Sequence, residues 1–256
     1  MRLIAAGITN VGMKRSHNED SFFIFEDEGL YIIADGMGGH SSGEIASQMA
    51  VETVANFFKS TSNDDEVTWP FKMDKGRDYQ ENRLITSIKL ANLRIYESAQ
   101  REAKYRGMGT TIVSVLFKND EAIIAHVGDS RCYLISNNEM KQLTEDHSLL
   151  NDYIKAKKLT PEELENFPHK NVIVRALGMK ETVQVDICRI KPKPGDIFLL
   201  CTDGLSGMVK DEEIKNIVLA NQDNLEKANE ILIQRANENG GVDNITCILL
   251  KIVQHN

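Results

Sequence analysis

Asn119-Asp120 and Asn137-Asn138 each stand alone between two apolar, strand-like runs. A two-residue link cannot carry a chain across a sheet to a parallel neighbour, so the flanking runs must pair antiparallel. Asn and Asp tolerate the positive φ that such turns demand. Such pairing argues against a doubly wound parallel sheet. Strand-like runs fall at residues 3–9, 21–26, 30–34, 110–117, 121–127, 131–136, 139–143, 171–176, 182–190, 196–202 and 245–253. Helical patterns come in two groups. The first covers 43–58 and 79–104, where Leu84, Ile88, Ala91, Ile95 and Ala99 form one apolar stripe. The second covers 211–220 and 224–238, with Asp223 and Glu226 spaced as a capping box and Gly240 as a stop. A shorter helix is expected from Thr160-Pro161-Glu162-Glu163. These elements predict an α+β fold of four layers, α-β-β-α. Two antiparallel sheets pack face to face, flanked by helix pairs.

At 256 residues and 41% hydrophobic content, the chain can fill such a sandwich as one domain, 1–256. The polar segments 60–78 and 144–170 read as surface loops, with Trp69 and Phe71 anchoring the first. A net charge of −8 argues against a nucleic-acid partner. No apolar stretch is long enough to span a bilayer, and residues 1–7 are too short for a signal h-region. The four cysteines (Cys132, Cys188, Cys201, Cys247) sit singly in apolar runs and are expected reduced and buried, which suits the cytoplasm.

Four apolar runs deliver an aspartate beside a turn residue. Ala34 precedes Asp35-Gly36, Val127-Gly128 precedes Asp129, and Cys201-Thr202 precedes Asp203-Gly204. In reverse order, Gly241-Val242-Asp243-Asn244 leads into Ile245. Carboxylates at the lips of buried strands concentrate negative charge, which is costly unless a cation neutralises it. Oxygen-only donors point to a hard ion, Mg²⁺ or Mn²⁺. A second signal is Arg15, four residues before the carboxylate pair Glu19-Asp20. Its planar guanidinium suits a phosphate oxyanion. Other chemistries find no support. No cysteine is followed six residues later by arginine, and Gly204-Leu205-Ser206-Gly207-Met208 misses the nucleophile elbow at its last position. The glycine clusters at 36–38 and 107–109 meet Ser41 and Ile112 where a dinucleotide fingerprint needs its third glycine. His126, inside an apolar run, reads as a core histidine rather than a ligand.

The ordered set Arg15 to Asp20, Asp35-Gly36-Met37-Gly38-Gly39, Gly107-Met108-Gly109-Thr110-Thr111, Val127-Gly128-Asp129-Ser130-Arg131, Thr202-Asp203-Gly204 and Gly241-Val242-Asp243-Asn244 resembles the motifs of the PPM (PP2C-type) Ser/Thr protein phosphatases. Compact bacterial members are most similar. The resemblance implies a single phosphatase domain with a flap at about 144–170. It implies two core Mn²⁺ or Mg²⁺ ions and a third, weaker one. Asp35 would bridge the core pair, the Gly36 carbonyl would bind one ion, and Asp203 and Asp243 the other. Glu19 would ligate or hydrogen-bond metal waters, with Asp20 supporting from behind. Asp129 would join Asp203 at the third site, and Arg15 would grip the substrate phosphate. Asp35, Asp203, Asp243 and Arg15 are thus the expected catalytic residues. A hydroxide bridging cations about 3.5–4 Å apart would attack phosphorus directly, with no phospho-enzyme. Two positions depart from the pattern. Met37 stands where some members carry a histidine as candidate general acid, leaving His40 nearest in sequence. Gly207 stands where some carry another aspartate. The expected partners are phosphorylated Ser/Thr proteins and a cognate kinase, acted on by a monomer. The rival readings are a catalytically silent scaffold of the same fold and a two-metal phosphoesterase for nucleotides.

Overall fold

The computed structural model describes residues 2–38, 42–62, 69–156 and 172–253. One sheet runs in the order β1 (Arg2–Asn10), β11 (Ile245–Val253), β10 (Ile197–Cys201), β7 (Arg131–Ser136), β8 (Glu139–Gln142). The other runs β2 (Asp20–Phe25), β3 (Leu30–Met37), β5 (Ile112–Lys118), β6 (Glu121–Val127), β9 (Asp186–Ile190), and β4 (Gly109–Thr110) pairs with the end of β3. Every strand pair is antiparallel. The hairpin residues Asn119, Asp120, Asn137 and Asn138 all take positive φ, between 51° and 66°. The helices are α1 (Ser42–Ser60), α2 (Tyr79–Arg101), α3 (Leu149–Lys155), α4 (Asp203–Ser206), α5 (Asp211–Ala220) and α6 (Leu225–Glu238).

Strand periodicity sorts the apolar side chains into three cores. Tyr31 and Ile33 of β3 face inward with Val113, Val115 and Ile124, meeting Phe198, Leu200, Ile248 and Leu250 of the other sheet. Their neighbours Leu30, Ile32 and Ala34 turn outward onto α1 and α2, against Val54, Phe58, Leu84 and Ile88. Leu199 and Cys201 of β10 turn the other way, onto Ile214, Val218 and Leu232 of α5 and α6. The layers are therefore helix pair, sheet, sheet, helix pair, as expected. Each fully buried Leu, Ile or Phe adds about 1.5–3 kcal/mol. Phe117 stitches the sheets together edge-on, its ring 5.9 Å from Tyr31 and 5.4 Å from Phe198.

Several expectations are corrected. Residues 172–176 form no strand; Ile173 makes one isolated bridge to Ser148, and Val172 and Val174 are exposed. Their β-branched side chains lack a partner face, and propensity alone does not build a strand. The run 182–190 is strand only from Asp186. The helix expected to reach 104 stops at Arg101, and a 3-10 turn covers Ala103–Tyr105. The α6 cap is Asn224, whose side chain accepts from the Lys227 N–H, not Asp223. Trp69 anchors its loop as expected, packing on Phe57 and Tyr79. The helix expected from Thr160, His40, Gly39 and part of the 144–170 segment lie outside the described residues.

Candidate active site

The two sheets end at a common edge, and the acidic residues stand there. Asp20 opens β2 and faces Asp35 across the β2–β3 ladder. Asp129 follows β6, Asp203 opens α4 just beyond β10, and Asp243 precedes β11. The negative charges of Asp20, Asp203, Asp129 and Asp243 all act on Asp35. Asp203 also lies within hydrogen-bonding reach of Asp35. Burial, then this mutual repulsion, raises the pKa of Asp35 well above the carboxylate range and raises that of Asp203. Burial pushes Asp20 and Asp129 up to about 7. Glu19 is raised too, chiefly by burial, against the opposing pull of Arg15 and His17.

Close backbone approach makes this gathering possible. A Cβ at Gly36 would stand 2.1 Å from the Gly43 carbonyl oxygen and 2.6 Å from that of Glu19. Only glycine there lets β3, the first turn of α1 and Glu19 meet. The Glu19 carboxylate lies over Gly43 and receives its backbone N–H. Arg15 reaches in from the β1–β2 loop, its Nη2 donating to Asp243 Oδ2 at 2.8 Å, and half its side chain stays exposed. A cavity of about 300 Å³ opens beside the cluster, lined by Asp129, Arg131, Asp146, Asp203, Gly204 and Asp243 among others.

The donor set suits a hard divalent cation. Asp20 Oδ1 and Asp129 Oδ1 are buried and have no hydrogen-bond partner. Unpaired carboxylate oxygens crowded by like charge either keep protons or bind a cation. The cluster's own side chains offer carboxylate oxygens, as Mg²⁺ and Mn²⁺ prefer. All six expected acidic positions, Glu19, Asp20, Asp35, Asp129, Asp203 and Asp243, gather at this edge, with Gly36 and Arg15 beside them. Met37 is paired with Gly109 at the end of β3.

Several supporting residues were given no role in the sequence reading, although Thr111, Ser130, Arg131, Thr202 and Asn244 stand in its motifs. Thr202 and Thr246 donate to Asp20 Oδ2 at 3.0 and 2.6 Å. Thr111 Oγ1 accepts from the Asp35 N–H at 3.0 Å and meets Ser130 Oγ at 2.7 Å. Asn244 fastens the Arg15 loop to the Asp243 turn, accepting from the Glu19 N–H at 2.8 Å and donating to the carbonyls of Val11 and His17. Arg131 is a strut rather than a free cation. It holds Asp146 through Nε and Nη2, at 3.0 and 2.7 Å, and Tyr133 through Nη1. The available signal was a hydroxyl or amide inside an apolar run, next to or facing a motif aspartate.

A family model described as protein phosphatase 2C matches residues 13–249. The protein phosphatase PhpP of Streptococcus pneumoniae is 39% identical over 248 residues, covering 96% of each chain. The structure of the S. agalactiae serine/threonine phosphatase superposes with a TM-score of 0.85 at 35% identity, covering 98% of this chain and 100% of that one. The catalytic domain of the serine/threonine protein phosphatase PstP in complex with two manganese ions gives a TM-score of 0.80 at 31% identity, covering 98% and 99%. Matched in sequence and in architecture along nearly its whole length, the chain belongs to the protein phosphatase 2C family.

Proposed function

We propose that this chain is a metal-dependent protein serine/threonine phosphatase, a single domain over 1–256 with a flap at about 144–170. The observation that carries this reading is the convergence of buried, mutually repelling carboxylates with unpartnered oxygens beside an exposed arginine. Asp35, Asp203 and Asp243, with the Gly36 carbonyl and Glu19, would hold two Mn²⁺ or Mg²⁺ ions. Asp129 and Asp203 would hold a weaker third, and Asp20 supports the set from behind. Such ions, when bound, make hydroxide available near neutral pH and offset charge on the phosphoryl oxygens.

The chain's own residues do the rest. Arg15 exchanges Asp243 for phosphate oxygens, orienting the ester by paired N–H donors. Burial, then mutual repulsion, raises the pKa of Asp35 and Asp203, and bound cations would favour their charged forms. Thr202 and Thr246 fix Asp20 so that only one of its oxygens faces the cluster. No side chain need act as nucleophile, and the cysteines cannot readily serve. Burial pushes Cys201 up to about 12, and Cys132 and Cys247 are likewise buried.

Substrates are phosphorylated Ser/Thr proteins, opposed by a cognate kinase. The same reading takes the protein as a cytoplasmic monomer. The net charge of −8 speaks against a nucleic-acid partner, and no described helix is long and apolar enough to cross a membrane. The test is hydrolysis of a phosphothreonine peptide with and without chelator. Turnover that needs Mn²⁺ or Mg²⁺ is expected. Well-folded protein with no metal-dependent turnover contradicts the reading. So does a clear preference for a cyclic dinucleotide.

A further inference from the structure

Outside the acidic cluster, buried His126 and His147 meet half-buried Asp186 at the root of the 144–156 and 172–184 segments. One ligand atom from each lies within 4.8 Å of the others, a spacing that suits a metal ion. The hydrogen bonds argue for another use. The Gly128 N–H donates to His147 Nδ1 at 3.0 Å, so the ring proton sits on Nε2. That Nε2–H faces Asp186 Oδ2 at 3.2 Å. A metal at Nε2 would need the proton on Nδ1, opposed to the Gly128 N–H. Arg175 already holds the other Asp186 oxygen at 2.6 Å. His126 commits its own Nε2 to the Glu145 carbonyl at 2.8 Å, and its ring stacks on His147 at 4.8 Å between centroids. The cluster therefore fixes one imidazole by its edge and its face.

What that imidazole holds is the turn beside Asp129. His147 grips Gly128 twice, through the ring and through its own N–H to the Gly128 carbonyl at 3.0 Å. Gly128 has φ +111°, and a Cβ there would lie 2.6 Å from Thr111 Cβ and Cγ2. The turn is thus pressed on Thr111, which bonds the Asp35 N–H and Ser130. On its other side, the His147 carbonyl accepts from the Val174 N–H at 2.9 Å, and Leu149 donates to the Val172 carbonyl.

We propose that His147 is a positioning residue: oriented by Asp186 and His126, it sets the Gly128-Asp129 turn and so the affinity of the weaker cation site shared by Asp129 and Asp203. This rests on the phosphatase reading. His147 is bonded to the Gly128 turn and not to Asp35, Asp203 or Asp243. The turn reaches Asp35 through Thr111, so the tighter pair of sites is expected to weaken less than the Asp129 site. Residues that orient a metal ligand change affinity about 10–100-fold.

The test is Mn²⁺ calorimetry on the full chain, with kcat and KM for a phosphothreonine peptide. In His147→Ala, the weaker binding event loses about tenfold in affinity, the tight pair weakens by much less, and kcat falls at constant KM. His147→Asn, whose side-chain oxygen can still accept from the Gly128 N–H, restores most of the loss. Should His147→Ala fail to fold, Asp186→Ala frees the ring to turn and is expected to weaken the same event, with Asp186→Asn as its rescue. The relay is overturned if the variants bind Mn²⁺ as the wild type does. It is equally overturned if tight and weak events weaken to the same extent without rescue, if the wild type has no weaker event, or if a Zn²⁺ ion bound by the wild type is lost in His147→Asn. A wild type without metal-dependent turnover instead sinks the phosphatase reading, and the inference with it.

Discussion

Asp20 and Asp129 bury carboxyl groups whose pKa rises to about 7, and each leaves Oδ1 unpartnered. In the metal-free protein these groups keep protons that the unfolded chain releases near pH 4. The folded state thus binds more protons between about pH 4 and 7, so stability falls as pH rises through that window, by up to about 4 kcal/mol per group. Bound cations reverse the preference by favouring the charged form. Thermal melts should show the chelated protein losing Tm from pH 5 to 7.5, with added Mn²⁺ stabilising far more at 7.5 than at 5. A chelated Tm that climbs over this range contradicts the assignment. Residue roles separate kinetically. Asp203→Asn should lower kcat at least about a hundredfold by removing a ligand. Arg15→Ala should chiefly raise KM, roughly tenfold or more, the worth of a hydrogen bond to a charged group. Equal effects of both changes on both parameters would dissolve that division of labour.

Among the elements, α2 is held by a buried pair that has nothing to do with catalysis. Arg83 Nη1 meets Glu28 Oε2 at 3.0 Å, with both side chains nearly inaccessible. Its remaining donors reach Thr61 Oγ1 and the Phe58 carbonyl, and Ser62 and Lys118 complete the shell around Glu28. Removing Arg83 leaves the buried Glu28 carboxylate to Ser62 and the more distant Lys118, short of its closest cation. Arg83→Ala should therefore cost about 3–5 kcal/mol in urea unfolding, while kcat per folded molecule stays within twofold. A loss under 1 kcal/mol would mean that water takes the place of the guanidinium. Element type was legible where periodicity was strong. The stripe from Leu84 to Ala99 and the exact bounds of β6, β7, β11 and α5 follow from it. Where packing decides, the pattern misled. Val172 and Val174 read as strand but find no facing sheet, and the seven-residue α3 was missed because its sequence has no buried face.

Across the whole molecule, turn chemistry went furthest. Two dipeptides with positive φ forced antiparallel pairing, and hydrophobic alternation then required a third core between the sheets. That inner core is open to a direct check. Phe198→Ala, at the centre of the sheet-to-sheet contact, should cost about 3–5 kcal/mol. Asp35, Asp129, Asp203 and Asp243 were legible because each stands beside an apolar run, and Glu19 and Asp20 because they form a carboxylate pair shortly after Arg15. The roles of their supports were not: Thr202 and Thr111 stand in the motifs, but like Thr246 and His147 they look like ordinary strand or loop residues until the sheets bring them together. The central claim is that strand ends distant in sequence gather their carboxylates around a pair of divalent ions. Its most direct test is an anomalous difference map from crystals grown with Mn²⁺. Two strong peaks among Asp35, Asp203 and Asp243 are predicted, with a weaker one beside Asp129. A map with no peak at that edge, or with peaks only elsewhere on the protein, would contradict the account.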